Sequence, residues 1–371
     1  MKAIISGGGT GGHIYPALSL AMKMKNNDWM IKYIGSVDGL EKSIIKNSGI
    51  VYEGITVSPL PRKIKLKTFK ALLKNSRGFI QSLKIIKSYN PQVVIGTGGF
   101  VAGPVLLAAS LYGIPTLIHE QNVYPGLTNR LLSRIVDKIA INFENAIEYF
   151  PDKISDKIIL TGIPVRDSIK NNNSNNAYDK FSLNPDKLTI FVFGGSQGAA
   201  AINNVMVNLY NNMCNDFMQK NWQFIHITGP ANYDKIRSSI KKIDQSLLDN
   251  DLIKLFPYLD NIELAYAAAD IAIARAGATG LAEIAVSGLP AILIPYPYAS
   301  GNHQLYNAQQ FAKMGAGCII KEKDLNHNIL MDKLTQILNN KEKLKKMGEN
   351  SSKLANDNAL SNLYKVVLNL I

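Results

Sequence analysis

The chain has 371 residues, 46% of them hydrophobic, and a formal net charge of +13, with a mean hydropathy near zero. That length exceeds the roughly 250–300 residues at which one core stops growing, so two domains are expected, and the composition excludes a fibrous or disordered chain. Cys214 and Cys318 are the only cysteines and stand far apart with no metal-ligand spacing, so no disulfide or zinc framework is expected, which fits a reducing cytosol.

Met1-Lys2-Ala3-Ile4-Ile5-Ser6 leads straight into a glycine loop, and no signal peptide is expected. Ala3-Ile4-Ile5 predicts a strand, residues 7–13 a loop and residues 14–24 a helix. Further strands are expected at 31–34, 93–95, 116–118 and 138–141. Residues 93–118 carry no charge and are long enough to cross about 30 Å of bilayer. Their five glycines and two prolines predict strand, turn, helix and strand instead of a membrane span. The pattern then restarts: a strand at 188–193, the loop 194–199, a helix, and strands at 223–226, 252–255, 271–274, 291–294 and 318–320. Asn171-Asn172-Asn173-Ser174-Asn175-Asn176 between the halves is too polar and repetitive to pack, and predicts a linker or an exposed loop. After Asp324 the chain is expected to be helical, with one last helix over 351–371. Alternating strands and helices, twice over, predict an α/β fold of two Rossmann-like doubly wound parallel-sheet domains facing across a cleft. The expected boundaries are 1–163, 164–352 and a C-terminal helix 353–371 that packs back on the first domain.

The charge is uneven: residues 1–162 hold 20 Lys and Arg against 10 Asp and Glu. Such a surplus points to an anionic partner, nucleic acid or anionic lipid. It concentrates in residues 62–87, where Arg62, Lys63, Lys65, Lys67, Lys70, Lys74, Arg77, Lys84 and Lys87 stand with no acidic residue. Phe69 and Phe79 are the only aromatics in that segment, too few for a stacking platform, so nucleic acid is not expected. From Thr68 the pattern is helical, with Phe69, Leu72, Leu73, Ser76, Ile80 and Leu83 as the expected inward stripe. Phe79 and Ile86 flank it, and Lys70, Lys74, Arg77 and Lys84 lie on another side. With Ile64 and Leu66, this helix is expected to dock the domain on anionic lipid.

Several motifs taken singly are weak. Gly7-Gly8-Gly9-Thr10-Gly11-Gly12 fits G-x-G-x-x-G between a strand and a helix, where backbone N–H groups and the helix dipole suit a diphosphate. A dinucleotide enzyme would want an acidic residue ending the second strand, but that strand ends at Gly35-Ser36, with Asp38 late. His13 stands where a P-loop needs Lys. Gly194-x-Ser196-x-Gly198 has the form of a nucleophile elbow, for which Asp270 and His303 could be enlisted. A complete domain before the nucleophile argues instead for a phosphate-contacting loop. Asp249-Asn250-Asp251 resembles a metal-holding D-x-D but precedes a strand, and is expected to be surface charge.

Together the motifs are specific. Gly9-Thr10-Gly11-Gly12-His13, Gly96-Thr97-Gly98-Gly99-Phe100, His119-Glu120-Gln121-Asn122, Gly194-Gly195-Ser196-Gln197-Gly198 and Arg275-Ala276-Gly277-Ala278-Thr279 occur in this order. The chain thereby resembles the MurG family, peptidoglycan N-acetylglucosaminyltransferases of the GT-B fold. Gly162-Ile163-Pro164-Val165-Arg166 and Gly288-Leu289-Pro290-Ala291 extend the resemblance over essentially the whole length.

The resemblance implies that the C-terminal domain binds UDP-N-acetylglucosamine. Ser196 and Arg166 match positions contacting the donor phosphates, and Ala278, Thr279, Gly280, Leu281, Ala282 and Glu283 the stretch embracing uridine and ribose. Leu259 matches a backbone position beside the uracil, Gln304 one near the sugar hydroxyls, and Asn122 one that reaches the donor sugar. A carboxylate such as Glu283 can accept two ribose hydroxyls. Thr10, Gly11 and Gly12 are counted with the donor contacts. Together with Gly96, Thr97, Gly98 and Gly99 they also form loops able to cradle the acceptor's lipid diphosphate. The sequence departs from the commonest family pattern at 279–281, and in the loop 296–303, where His303 replaces a frequent Gln.

The implied reaction is an inverting transfer of N-acetylglucosamine to the 4-hydroxyl of a lipid-linked muramyl-pentapeptide, at the cytoplasmic face of a bacterial membrane. An imidazole suits general-base catalysis near neutral pH. His13 is the first candidate and Glu120 the second. No cofactor and no metal are expected, because helix N-termini and Arg166 can stabilise the departing diphosphate. A sugar-nucleotide epimerase of the same fold and a non-catalytic binding module remain as alternatives.

Overall fold

The computed structural model describes residues 1–59, 66–170, 174–195, 197–213, 221–249 and 252–371, without the side chains of 66–67 and 174–175. Two compact units result, Met1–Val165 with Asn356–Ile371, and Arg166–Ala355.

The first unit is built on a seven-stranded parallel sheet. Its strands are β1 (Lys2–Ser6), β2 (Met30–Ser36), β3 (Val51–Ile55), β4 (Val93–Gly96), β5 (Thr116–Glu120), β6 (Lys138–Ile141) and β7 (Ile158–Leu160). They lie in the order β3-β2-β1-β4-β5-β6-β7. The inner strands are covered on both faces, which is why they stand out in the sequence as apolar runs. The edge strands β3 and β7 are only partly buried; β3 mixes polar and apolar residues and β7, though apolar, has three residues, so the sequence pattern does not single them out. The helices Gly11–Lys25 and Ala359–Leu368 cover one face, packing Ala17 and Leu20 with Leu363 and Val367. Trp29 Nε1 donates to the Tyr364 hydroxyl at 3.2 Å across this contact. The helices Leu66–Tyr89, Ala102–Leu111 and Leu127–Leu132 cover the other face. Residues 93–118 are therefore β4, a ten-residue helix and the start of β5. Among the described residues no helix is long and apolar enough to cross a membrane.

The second unit repeats the plan with six parallel strands: β8 (Leu188–Phe193), β9 (Trp222–Ile227), β10 (Ile253–Phe256), β11 (Ile271–Ala274), β12 (Ala291–Leu293) and β13 (Gly317–Ile319). Their order is β10-β9-β8-β11-β12-β13. In each unit the chain winds outward from a central strand one way, then returns and winds the other. The reversals fall between β1 and β4, where Ser6 pairs with Gly96, and between β8 and β11, where Phe193 pairs with Ala274. Ligands of open α/β sheets bind at such switch points, beyond the carboxyl ends of the strands.

Three sequence expectations need correction. Residues 351–371 are not one helix: Lys341–Ser352 ends one and Ala359–Leu368 forms the next. The break contains Asn356, Asp357 and Asn358, residues that favour turns over helix interiors, and Asn356 Nδ2 donates to the Thr161 carbonyl at 3.0 Å. The polar stretch 171–176 is not wholly a linker, since the helix Ser174–Phe181 begins within it. Ala177 and Phe181, one turn apart, are buried, and Phe181 meets the Phe256 ring edge-on at 5.6 Å. Asn171, Asn172 and Asn173 lie outside the described residues.

The third correction reverses a helix face. Of the expected inward stripe on Leu66–Tyr89, Phe69, Leu72, Leu73, Ser76 and Ile80 face solvent, and Leu83 is only partly covered. The inward side instead carries Ala71, Gly78, Ser82, Ile85 and Ile86. A Cβ at Gly78 would lie 2.6 Å from Val57 Cγ1 and 2.7 Å from the Thr56 carbonyl oxygen. Asn75 and Gln81 side-chain oxygens accept from the Ser58 and Thr56 backbone at 2.9 and 2.8 Å. Backbone this close admits only small or hydrogen-bonding residues, so the bulky apolar ones are left outside. Residues 62–65 lie outside the described residues.

Candidate active site

At the β1/β4 switch point two glycine loops meet. Gly8 N donates to the Gly98 carbonyl at 3.3 Å, and a side chain at Gly99 would collide with the Gly8 carbonyl. Thr10 is the N-cap of Gly11–Lys25, with no side-chain cap and no acidic residue in the first turn. The helix start at Gly11 and Gly12 thus presents N–H groups and a positive dipole end. Gly9 N differs: it donates to Glu41 Oε2 at 3.3 Å, while Glu41 Oε1 accepts from Ser36 N at 2.8 Å. This wholly buried carboxylate shapes the loop and already uses one of its donors.

His13, in the first turn of the helix, is half-buried. Its Nδ1 lies 3.0 Å from Gln121 Oε1, and its carbonyl accepts from Thr97 Oγ1 at 2.8 Å. Gly98, at φ +101°, makes room for the ring, since a Cβ there would lie 2.8 Å from His13 Nδ1. His119, on β5, is fully buried and its Nε2 lies 2.9 Å from the Gly162 carbonyl. Burial holds its imidazole down at about 4, and nearby His13 adds to this, against the raising effect of the Gly162 hydrogen bond.

Glu120 ends β5 and is buried. Its Oε1 accepts from Asn122 N at 2.9 Å and Asn122 Nδ2 at 3.1 Å. Its Oε2 accepts from Gly126 N at 3.0 Å and Asn129 Nδ2 at 2.8 Å. Four donors hold this carboxylate, so it organises the loop carrying Asn122.

At the β8/β11 switch point, Gly194 and Gly195 open the loop after β8 and Gly198 closes it at φ +73°. A side chain at Gly198 would collide with the Thr228 carbonyl. Beneath it His226 is buried between Tyr210 OH at 3.2 Å and Asn203 Oδ1 at 3.0 Å, and burial lowers its pKa to about 3. Ser196 itself lies outside the described residues, as do Asn250 and Asp251 of the D-x-D; Asp249 ends a short helix on the surface and accepts from Gln245 at 3.1 Å.

Following β11, Gly277 is the N-cap of Ala278–Val286, again with no side-chain cap and no acid in its first turn. Ala278, Thr279, Gly280, Leu281, Ala282 and Glu283 are its first six residues. The Thr279 hydroxyl is shielded from solvent and has no partner among the described residues. Glu283 Oε1 pairs with Arg166 Nη2 at 3.3 Å and Oε2 accepts from Tyr266 OH at 3.0 Å. Burial raises the Glu283 pKa, while Arg166 and Tyr266 pull it back down. Two donors leave roughly two of the four lone-pair sites of this carboxylate for a ligand. The Arg166 side chain is 40% exposed. Leu259 stands in the partly covered loop after β10, and Gln304, in Tyr296's neighbourhood, accepts from Tyr296 N at 2.9 Å through Oε1. That leaves the Gln304 amide N–H groups as its donors.

Residues 3–141 match the glycosyltransferase family 28 N-terminal domain and residues 189–363 its C-terminal domain. Two relatives named UDP-N-acetylglucosamine--N-acetylmuramyl-(pentapeptide) pyrophosphoryl-undecaprenol N-acetylglucosamine transferase align end to end. That of Halothermothrix orenii is 46% identical, covering 99% of this chain and 98% of its own; that of Desulforamulus reducens is 47% identical, with the same coverage. The crystal structure of MurG from Acinetobacter baumannii superposes with a TM-score of 0.79 at 28% identity, over 99% of both chains. The chain belongs to the MurG family of glycosyltransferase family 28. Membership makes it a glycosyltransferase of the GT-B fold, and the epimerase and binding-module alternatives give way. Three residues that the structure sets against these candidate residues carry no role in the sequence reading. Tyr266 and Glu41 are brought in by tertiary packing and have no sequence signal. Gln121 stands inside the motif His119-Glu120-Gln121-Asn122, whose spacing marks the place without revealing the role.

Proposed function

We propose that the protein transfers N-acetylglucosamine from UDP-N-acetylglucosamine to the 4-hydroxyl of undecaprenyl-diphospho-N-acetylmuramoyl-pentapeptide, with inversion. The observation that carries this is the end-to-end identity of 46–47% with transferases of that name. The donor belongs to the second unit. Glu283 accepts the ribose hydroxyls through its remaining lone pairs, the start of Ala278–Val286 lies along the uridine, and Leu259 flanks the uracil. Arg166 and the loop carrying Ser196 take the diphosphate, and Gln304 and Asn122 take the sugar. The acceptor diphosphate belongs to residues 96–99, with Thr10, Gly11 and Gly12 beside it.

His13 takes the proton of the acceptor hydroxyl as its oxygen attacks C1 of the α-linked donor. The C1–O bond to UDP breaks, and the leaving diphosphate's growing charge is met by Arg166 and by backbone N–H groups at helix starts. Glu120, its oxygens engaged by four donors, holds the Asn122 loop in place. With a lipid-linked acceptor analogue, UDP-N-acetylglucosamine should give a β-linked disaccharide and UDP; without acceptor it should stay intact. His13→Ala should lower kcat by about 10²–10⁴-fold while donor affinity holds. Consumption of the donor with no acceptor present would overturn the transfer reading.

The enzyme works as a peripheral protein at an anionic membrane surface. Support comes from the solvent-facing stripe Phe69, Leu72, Leu73 and Ile80 with Lys70, Lys74, Arg77 and Lys84 beside it, all exposed. An apolar stripe flanked by cations is the pattern of an interfacial helix.

A further inference from the structure

We propose that Gln121, held in one orientation by His119 and Thr97, fixes the tautomer of His13, protonated at Nδ1 and bare at Nε2. It rests on reading His13 as the base and supplies what that reading requires: a nitrogen lone pair available before the reaction starts.

The argument is one of donors and acceptors. The side chain of Gln121 is buried, as are His119 and Thr97. One end of its amide lies 2.9 Å from the Thr97 carbonyl and 3.1 Å from the His119 carbonyl. Carbonyl oxygens only accept, so this end must be the NH₂ group; the flipped amide would set oxygen against two oxygens. The other end is then Oε1, which can only accept, and it faces His13 Nδ1 at 3.0 Å. Nδ1 must therefore carry the proton, and in a neutral imidazole the lone pair is on Nε2. No described residue hydrogen-bonds Nε2.

His119 closes the chain of constraints. Its Nε2 faces the Gly162 carbonyl at 2.9 Å and must donate. Its Nδ1 is then bare and, 3.2 Å from Gln121 Nε2, can share the amide hydrogen that is directed to the His119 carbonyl. A protonated His119 would set an N–H against the Gln121 amide hydrogens, and burial keeps this imidazole neutral down to about pH 4. The run Gly162–His119–Gln121–His13 thus has one consistent proton assignment. Gln121 and His119 touch no reacting atom; they are positioning residues. Any imidazole without such a partner would share its proton between both nitrogens and hold only part of its population ready for catalysis.

The test is ¹⁵N spectroscopy of the full chain labelled at histidine, with His13→Asn identifying the His13 signals. The expected spectrum near pH 7.5 shows His13 with a protonated Nδ1 and an unprotonated Nε2; the opposite pattern overturns the proposal. Gln121→Leu should mix the two tautomers and lower kcat by about two- to tenfold, in proportion to the share of the competent tautomer that is lost. KM for UDP-N-acetylglucosamine should stay within about twofold, as expected for an interaction that acts on the chemical step. Unchanged kcat in Gln121→Leu with mixed tautomers overturns the positioning role. If the spectrum is as expected but His13→Ala turns over normally, the base assignment falls and the tautomer assignment stands.

Discussion

Replacing Phe69, Leu72 and Leu73 with Ser tests how the enzyme meets the membrane, because the structure turns that stripe outward. These side chains and Ile80 are 66%, 50%, 57% and 54% exposed. At roughly 100 Å² of exposed apolar surface each and about 25 cal/mol per Å², complete transfer out of water would be worth about 10 kcal/mol for the four. Shallow insertion at the headgroup boundary would realise about half of that. Lys70, Lys74, Arg77 and Lys84 add about 1 kcal/mol each near an anionic surface, so about 4 kcal/mol in all. The two contributions are comparable, and only the second is screened by salt. Sedimentation with phosphatidylglycerol-containing vesicles should therefore show binding that weakens with salt to a residual plateau. The Phe69, Leu72 and Leu73 triple Ser variant should lose about 3–4 kcal/mol, or 10²–10³-fold in partitioning, and what remains should be steeply salt-dependent. Changing Lys70, Lys74 and Arg77 to Ser should instead flatten the salt dependence and leave the plateau. UDP-sugar affinity should be unchanged in both. A triple apolar variant that partitions like the wild type would refute the assignment of this helix face to lipid.

Glu283→Ala should weaken UDP binding by about 1–3 kcal/mol, the range for hydrogen bonds to a charged group. Calorimetry with a 2′-deoxyribose donor checks it: wild type should lose affinity, the variant little more, and equal losses would remove Glu283 from the ribose site. The same titration with EDTA should give unchanged donor affinity; abolished binding would mean that a metal holds the phosphates. Stability should fall on acidification for a specific reason: His119 and His226 are held by burial at about 4 and about 3, below the ordinary 6.5. The folded state then binds fewer protons than the unfolded chain, so their contribution is complete above about pH 6.5 and is lost as pH falls toward those values. By pH 5 each should cost about 2 kcal/mol. Calorimetric transitions that do not move between pH 7 and pH 5, or imidazole signals titrating near 6.5, would contradict this.

The sequence by itself determined the two parallel α/β units, because inner strands buried on both faces must be apolar throughout and their loops must contain glycine. It also put the candidate motifs at strand ends, since those at 7–13, 96–100, 119–122, 194–198 and 275–279 stand at the carboxyl ends of β1, β4, β5, β8 and β11. The edge strands β3 and β7 escaped notice because β3 sets Glu53 and Gly54 among its apolar residues and β7, though apolar, is three residues long. Tertiary structure alone decided orientation and partnership. Apolar size suggested that Phe69, Leu72 and Leu73 face inward, but the close backbone of Thr56 and Val57 admits only Gly78 and its small neighbours, so packing distance overrode hydrophobicity. Nothing in the order of residues pairs Glu283 with Tyr266, or places Gln121 between His13 and His119, residues 108 and 2 positions away from it. Hydrogen bonds of that kind depend on which atoms the fold brings within about 3 Å, and they distinguish the half-exposed His13 from the wholly engaged Glu120.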